Sequence, residues 1–515
     1  MVLLKPEYRA QQVVIKLVLK YHQRNFLLAF LLLLVLVSGC IPAAPAGTPE
    51  PIVIEEAPAP PLPDSPQPTP LPTREPFPPG TLVEYIAQTG DTLPALAAHF
   101  NTTVAEIRAA NPIIPNDATT MPPGFPMQIP IYYRPLWGTP FQILPDSLFV
   151  NGPAQRDFDA VAFVESQPGW LKDFKVAQAK GQLKGGEIIN HIATNYSLSP
   201  RLLLAMLEYQ LGALSSPEPP ESIDRYSLGY RNNNYTGLLR QLTWAANTLN
   251  NGYYGWRTGR LDTFDHPDGK TERPDPWQNA ATVALQYYYA HIFPQEAYDY
   301  AVSGEGLRQT YSSLFGDPWA NVSPHIEGSL RQPELSLPFA AGKTWAFTGG
   351  PHTAWGEGDP LAALDFAPPS VVGGCTPAED QATAIADGVI VHTGDALALL
   401  DLDGDGDERT GWVIMYLHLA NTDLPKVGTI YKRGDPIGYP SCDGGTATGT
   451  HIHIARKYNG EWIPADGALA FNLEGWVAKN GNFPYEGTMT KSGRTITACV
   501  CSDSGSQVQA SLPQQ

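Results

Sequence analysis

Gly449-Thr450-His451-Ile452-His453-Ile454 is the stretch on which the fold of this chain turns. Two histidines alternate with isoleucine, and in a β-strand residues two apart share a face, so both imidazoles project the same way. Two further runs in the same third of the chain have a similar character. One is Gly349-Gly350-Pro351-His352, followed by Ala363-Leu364-Asp365-Phe366-Ala367; the other is Tyr416-Leu417-His418-Leu419. After Leu337 the chain consists of short β-like runs separated by Gly, Pro and Asp, which predicts an antiparallel β-rich domain over about 335–480.

Asp365 is wrapped by Leu364, Phe366 and Ala367, where a lone carboxylate is costly unless paired or bound to a metal. His418, read as mid-strand, is an equally expensive uncommitted imidazole. A single strand histidine is more often a satisfied core residue than a ligand. The whole set together matches what a catalytic zinc requires, about three N/O ligands and an open position. Of His451 and His453, one can bind the metal while the other lies within reach of the water; His352 and Asp365 add a nitrogen and an oxygen.

This constellation, from about Leu337 to Trp476, resembles the lysostaphin-type zinc endopeptidases. The twelve residues between His352 and Asp365 depart from the commoner short spacing and are similar to the β-lytic and staphylolytic branch, with its His…Leu-Asp-Phe arrangement. The resemblance implies that His352, Asp365 and His453 hold zinc, that His451 is the general base, and that His418 orients groups or stabilises the oxyanion. No ligand of the pattern is missing.

Between these runs lies Asp401-Leu402-Asp403-Gly404-Asp405-Gly406-Asp407-Glu408. Alternating carboxylates with a glycine at the sixth position match the first half of an EF-hand loop, but the twelfth position is Trp412, which excludes a complete one. The alternatives are a calcium-stabilised hairpin through Asp401, Asp403, Asp405 and Asp407, or a solvated acidic turn.

Residues 82–131 read as strand, helix, helix, strand. Thr92 or Asp91 can cap a helix carrying Leu93, Leu96, Ala97 and Phe100, and Thr103 starts a second with Val104, Ile107 and Ala110. Tyr85, Gly90-Asp91-Thr92-Leu93, Asn111 and Met127-Gln128-Ile129-Pro130 resemble a LysM domain, which implies binding of N-acetylglucosamine-containing glycan such as peptidoglycan. Pro94 departs from that pattern but is tolerated in a first helical turn.

Residues 145–330 are read as mostly α-helical, with Ser199-Pro200 opening an apolar helix and aromatics dense from Tyr253 to Tyr289. Pro200 to Gly212 distantly resembles the lysozyme-like lytic transglycosylases. There the required acid falls on Gln210, which cannot donate a proton, and Leu211 stands where a serine usually follows. Glu208 lies about 200° around the helix and cannot substitute. The resemblance therefore implies a glycan-holding, non-catalytic domain.

The chain has 515 residues, enough for three or four domains, and 51 prolines, too many for uniform packing. An Ala/Pro-rich stretch over 41–80 reads as a stiff linker. Lys5, Arg9, Lys16, Lys20 and Arg24 precede an apolar run from Phe26 to Val37, which is short for a membrane span and reads as a secretory signal. Val37-Ser38-Gly39-Cys40 resembles a bacterial lipobox, implying lipidation of Cys40; the alternative is an uncleaved anchor helix. Either places the remainder outside the cytoplasmic membrane. Losing five basic residues and Glu7 takes the formal charge from −18 to −22, and without a sizeable basic run the chain is not expected to bind nucleic acid.

In an exported protein disulfides persist. Cys375 and Cys442 flank the metal-site region and form the preferred pair, while the partners of Cys499 and Cys501, in an expected polar tail over 481–515, stay open. The overall expectation is a multidomain α+β lipoprotein that holds peptidoglycan and cuts its peptides with zinc. Two rivals are a non-catalytic wall-binding scaffold or activator, and a secreted zinc protease acting on glycine-rich proteins.

Overall fold

A computed structural model of the chain describes residues 71–512 with the exception of 179, 180, 371 and 502. The expected leader (1–40), its Cys40 and most of the linker lie outside the described residues. Among the described residues no helix is long and apolar enough to cross a membrane.

Strands β1 (Thr81–Ile86) and β2 (Pro126–Ile131) pair antiparallel with Tyr85 opposite Met127. Between them run α1 (Leu93–His99) and α2 (Val104–Ala110). Thr92 caps α1 by accepting from Ala95 N, and Pro94 occupies its first turn, where no amide hydrogen is needed. Thr103 and Glu106 form a reciprocal capping box on α2. Asn111 closes the unit: its side chain donates to the carbonyls of Ile107 and Gln128 and accepts from Gln128 N at 2.9 Å. Tyr85, Leu96, Phe100, Ile107 and Ile129 form its core.

Among the described residues seven α-helices follow: α3 (Ala160–Glu165), α4 (Gly185–Tyr196), α5 (Pro200–Leu211), α6 (Leu238–Arg257), α7 (Ala280–Ala290), α8 (Gln295–Ala301) and α9 (Leu307–Phe315). Ser199 caps α5 and Gly212 ends it in the left-handed region, as the Ser-Pro start and Gly stop dictate. The aromatics are mostly core, with Tyr253, Tyr254, Tyr288 and Tyr289 fully buried.

Among the described residues the C-terminal part is built on a nine-stranded antiparallel sheet. Its strands are β3 (Thr344–Thr353), β4 (Leu361–Ala367), β5 (Gly388–Gly394), β6 (Leu397–Asp401), β7 (Trp412–Leu417), β8 (Ile430–Tyr431), β9 (Ile452–Tyr458), β10 (Glu461–Trp462) and, after a smaller sheet, β13 (Gln507–Gln509). The order across the sheet is β8-β5-β6-β7-β9-β4-β3-β13, with β10 paired to β9. Period-two alternation gives each strand two buried faces. Ile414, Tyr416, Ile452, Ile454, Leu364 and Phe366 pack into a core on one side. Val413, Met415, Ala455 and Ala363 pack into the core of the helices on the other. The histidine side of β9 is therefore the side that faces the helical part.

One expectation needs correction. The described residues from 481 to 512 are not a plain polar tail: β11 (Gly487–Lys491) and β12 (Arg494–Thr497) form a hairpin beside Trp476–Asn480, and β13 adds to the edge of the main sheet against β3. The polar composition hid a short alternation in which Met489, Ile496 and Val508 point inward and are buried, while the intervening threonines and glutamines face water.

Candidate metal centre

β4 and β9 are adjacent and paired so that Asp365 lies directly opposite His453. β3, on the other side of β4, brings His352 opposite Ala363 after two register irregularities that the Gly349-Gly350-Pro351 run absorbs. Gly349 is required for close approach, since a Cβ there would meet Asp365 Oδ2 at 2.4 Å. His352 Nε2 stands 3.0 Å from His453 Nδ1 and 3.3 Å from Asp365 Oδ1. His453 Nδ1 is 3.2 Å from that same Oδ1. Ligand atoms about 2.0–2.1 Å from a tetrahedral zinc stand about 3.3 Å apart, so the three edges suit one ion.

Each imidazole turns the correct nitrogen inward. His352 Nδ1 is held by the carbonyl of Gly350 at 2.8 Å, leaving Nε2 for the centre; His453 Nε2 is held by the carbonyl of Ala354 at 3.1 Å, leaving Nδ1. Such outer hydrogen bonds set the tautomer of a metal-binding histidine. All three residues are buried. Asp365 Oδ1, also buried, has no hydrogen bond of good geometry among the described residues. A buried carboxylate oxygen left in that state, facing two imidazole nitrogens, is what a cation would satisfy, so the residues fit the expected zinc.

Burial works against charge on Asp365, but the neighbouring His352, then His453 and His451, outweigh it and hold the carboxyl well below the usual range. Burial likewise opposes charge on His352, and the nearby Asp365 outweighs it and raises that group. At His453 burial prevails and lowers it.

His451 lies at the margin, its Nε2 3.8 Å from Asp365 Oδ2 and its Nδ1 held by the carbonyl of Gly449 at 2.8 Å. His418 packs against it with ring centroids 4.5 Å apart. The expectation of a mid-strand His418 is corrected: β7 ends at Leu417, and His418 takes a left-handed turn with φ of 67°. Its Nδ1 meets the carbonyl of Asp443 at 2.8 Å. Burial, then the adjacent His451, pushes His418 down to about 4. A neutral His418 with its proton on Nδ1 offers a lone pair at Nε2, so it donates to an oxyanion only after taking a proton.

One residue at this centre was invisible in the sequence. Tyr485, in the segment expected to be a tail, stacks on His352 with centroids 4.1 Å apart. Its only signal is an aromatic inside a polar stretch, and the contact arises only once the late hairpin folds back over β3.

The other candidates divide. Cys375 is joined to Cys442, and Cys499 to Cys501. Asp401, Asp403 and Asp405 come close enough to share a cation, whereas Asp407 is engaged by Arg409 at 2.7 Å and Arg156 at 3.1 Å. Glu208 accepts from Leu214 N at 2.7 Å and Ser215 Oγ at 2.6 Å, which ties it to the end of α5 as a structural group. Gln210 accepts from Tyr288 Oη at 2.9 Å.

The LysM domain model matches residues 85–130. Protease LasA of Pseudomonas aeruginosa is 25% identical over 346 residues, covering 63% of this chain and 76% of its own length. The β-lytic metalloendopeptidase of Lysobacter enzymogenes is 28% identical over 151 residues, covering 26% of this chain and 74% of its own. The chain is a homologue of metalloendopeptidases. Among solved structures, the deep-sea metalloprotease pseudoalterin is 23% identical over 32% of this chain and 96% of its own, with a TM-score of 0.28. The model of the LasA N-terminal domain matches residues 142–327, the helical part that was read as distantly lysozyme-like.

Proposed function

We propose that this chain is a zinc endopeptidase that cuts peptide bonds in peptidoglycan while held to the envelope, by its LysM unit on the glycan and by a lipid on Cys40. The observation that carries the reading is the convergence of His352 Nε2, Asp365 Oδ1 and His453 Nδ1 on one point, with His451 and His418 beside it. When bound there, zinc polarises a carbonyl and lowers the pKa of water toward neutrality. The chain's own residues supply the rest. His451, its Nδ1 proton committed to Gly449, presents Nε2 to take a proton from the attacking water and pass it to the leaving amine. His418 is a second acceptor, which becomes a donor to the developing oxyanion once protonated. Tyr485 shields one side of His352.

We assign 82–131 to glycan binding and the segment from about 335 onward to the peptidase. The helical part between them is read as non-catalytic, because Glu208 and Gln210 are both engaged within the fold. Tethering raises the local concentration of an immobile substrate. The Asp401–Asp405 turn is a second-rank calcium candidate that would stiffen the β6–β7 hairpin. Digesting purified peptidoglycan with the protein, with and without a chelator, and analysing the products by mass spectrometry tests the assignment. Zinc-dependent new peptide termini, absent with His453→Ala, are expected; new reducing-end sugars alone would overturn it.

A further inference from the structure

The long segment between His352 and Asp365 contributes residues 354–360 as a loop that leaves the sheet, and its backbone amides need partners. Two come from α6. Asn247 Oδ1 accepts from Glu357 N at 2.8 Å, and Asn251 Oδ1 accepts from Asp359 N at 2.6 Å. The two asparagines are four residues apart and so lie on one face of that helix. The contact is close enough to dictate the loop's composition. Gly356 and Gly358 have φ of 79° and 88°, and a Cβ on them would meet Asn247 Oδ1 at 2.3 Å and Asn251 Oδ1 at 2.1 Å. Tyr235 Oη adds a bond to Glu357 at 3.1 Å, and Arg260 pairs with Asp359.

The same loop carries the carbonyl that holds His453. Ala354 is buried, its N–H donates to the carbonyl of Pro360 at 3.1 Å, and its own carbonyl accepts from His453 Nε2 at 3.1 Å. Moving the 356–359 stretch moves Pro360, and with it Ala354 and the tautomer of His453.

We infer that Asn247 and Asn251, on a helix outside the peptidase sheet, are positioning residues for the metal ligand His453. They act through the 354–360 loop and the Ala354 carbonyl. The inference rests on the zinc reading above. It gives the helical part a role in the metal centre beyond holding glycan.

The test uses the full chain stripped of metal. Zinc affinity is read by competition with a chromophoric chelator, and coordination by the visible absorption of the cobalt(II) form. Asn247→Ala combined with Asn251→Ala is expected to weaken zinc binding about 10–100-fold, the usual range for groups that orient a ligand, and to shift the cobalt bands. Gly358→Ala leaves α6 intact and drives the loop off Asn251, so it is expected to show the same loss and guards against a helix that misfolds. Asn251→Asp keeps an acceptor oxygen and should bind zinc more like the parent than Asn251→Ala does. Parent-like affinity and spectrum in both the double variant and Gly358→Ala would overturn the inference while leaving the zinc reading intact. A parent chain that binds no zinc would overturn both.

Discussion

At the scale of single residues the proposed metal centre depends on Asp365 and the nitrogens around it. Asp365→Asn keeps the shape but loses the charge that balances a cation, and it is expected to lower peptide hydrolysis about a thousandfold, equivalent to about 4 kcal/mol. Measuring zinc content alongside rate separates a lost ion from a misplaced one. The candidate cluster was legible in the sequence because burying a carboxylate or an imidazole among apolar residues needs a reason, and the His-x-His period puts two rings on one face; the choice of His453 over His451 as a ligand came from the family resemblance alone. Tyr485 and the Ala354 carbonyl were not legible. Both meet the centre through chain reversals that composition does not encode, and a backbone carbonyl leaves no trace in residue identity. His418 was recognised, but its left-handed turn was not, since nothing in Tyr416-Leu417-His418-Leu419 marks the end of a strand.

At the scale of elements, two fastenings keep the strands that carry these residues in place. The Cys375–Cys442 bridge spans 67 residues and holds the chain beside the His451 strand, where Thr450 N also donates to the carbonyl of Gly374 at 3.1 Å. Replacing both cysteines by serine is expected to cost about 4 kcal/mol by loop-closure entropy, visible as a lowered melting temperature that reductant does not lower further at this site. The second fastening is a buried ionic cluster between the helices and β10. Glu461 accepts from Tyr253 Oη at 2.7 Å, pairs with Arg257 at 3.0 Å and meets His325 at 2.7 Å. Burial pushes Glu461 up, but Arg257 and His325 outweigh it and bring it down to about 2, below its ordinary 4.5. The unfolded chain therefore takes up this proton first. Stability from the cluster is present above about pH 4.5 and is lost as pH falls toward about 2, by about 3 kcal/mol in all. Urea unfolding across that range should show the loss in the parent and a flatter profile in Glu461→Gln. None of this cluster was readable beforehand, because its members come from three separate parts of the chain.

At the scale of the whole molecule, the LysM unit, the helices and the sheet form one packed body among the described residues. Thr89, Thr119 and Thr120 of the LysM unit bond to the backbone of Ile326, Leu330 and Glu327, on the segment that leads into the peptidase. The order of parts was evident from the changes of period, from α-helical spacing to alternation after Leu337. Their mutual packing was not, since the apolar faces of helix and strand do not name their partners. In the tethered reading, His451→Ala, which lacks the base but keeps the ligands, should stay bound to insoluble peptidoglycan and be displaced by soluble N-acetylglucosamine oligomers in a sedimentation assay. Zinc-dependent peptide cleavage is tested most directly by titrating zinc into metal-free protein while following hydrolysis of a defined cross-linked muropeptide. No cleavage is expected without metal, and a rise to a plateau at one zinc per chain is expected as it is added, absent in His453→Ala. Cleavage that persists in chelator, or that does not respond to zinc, would contradict the zinc reading.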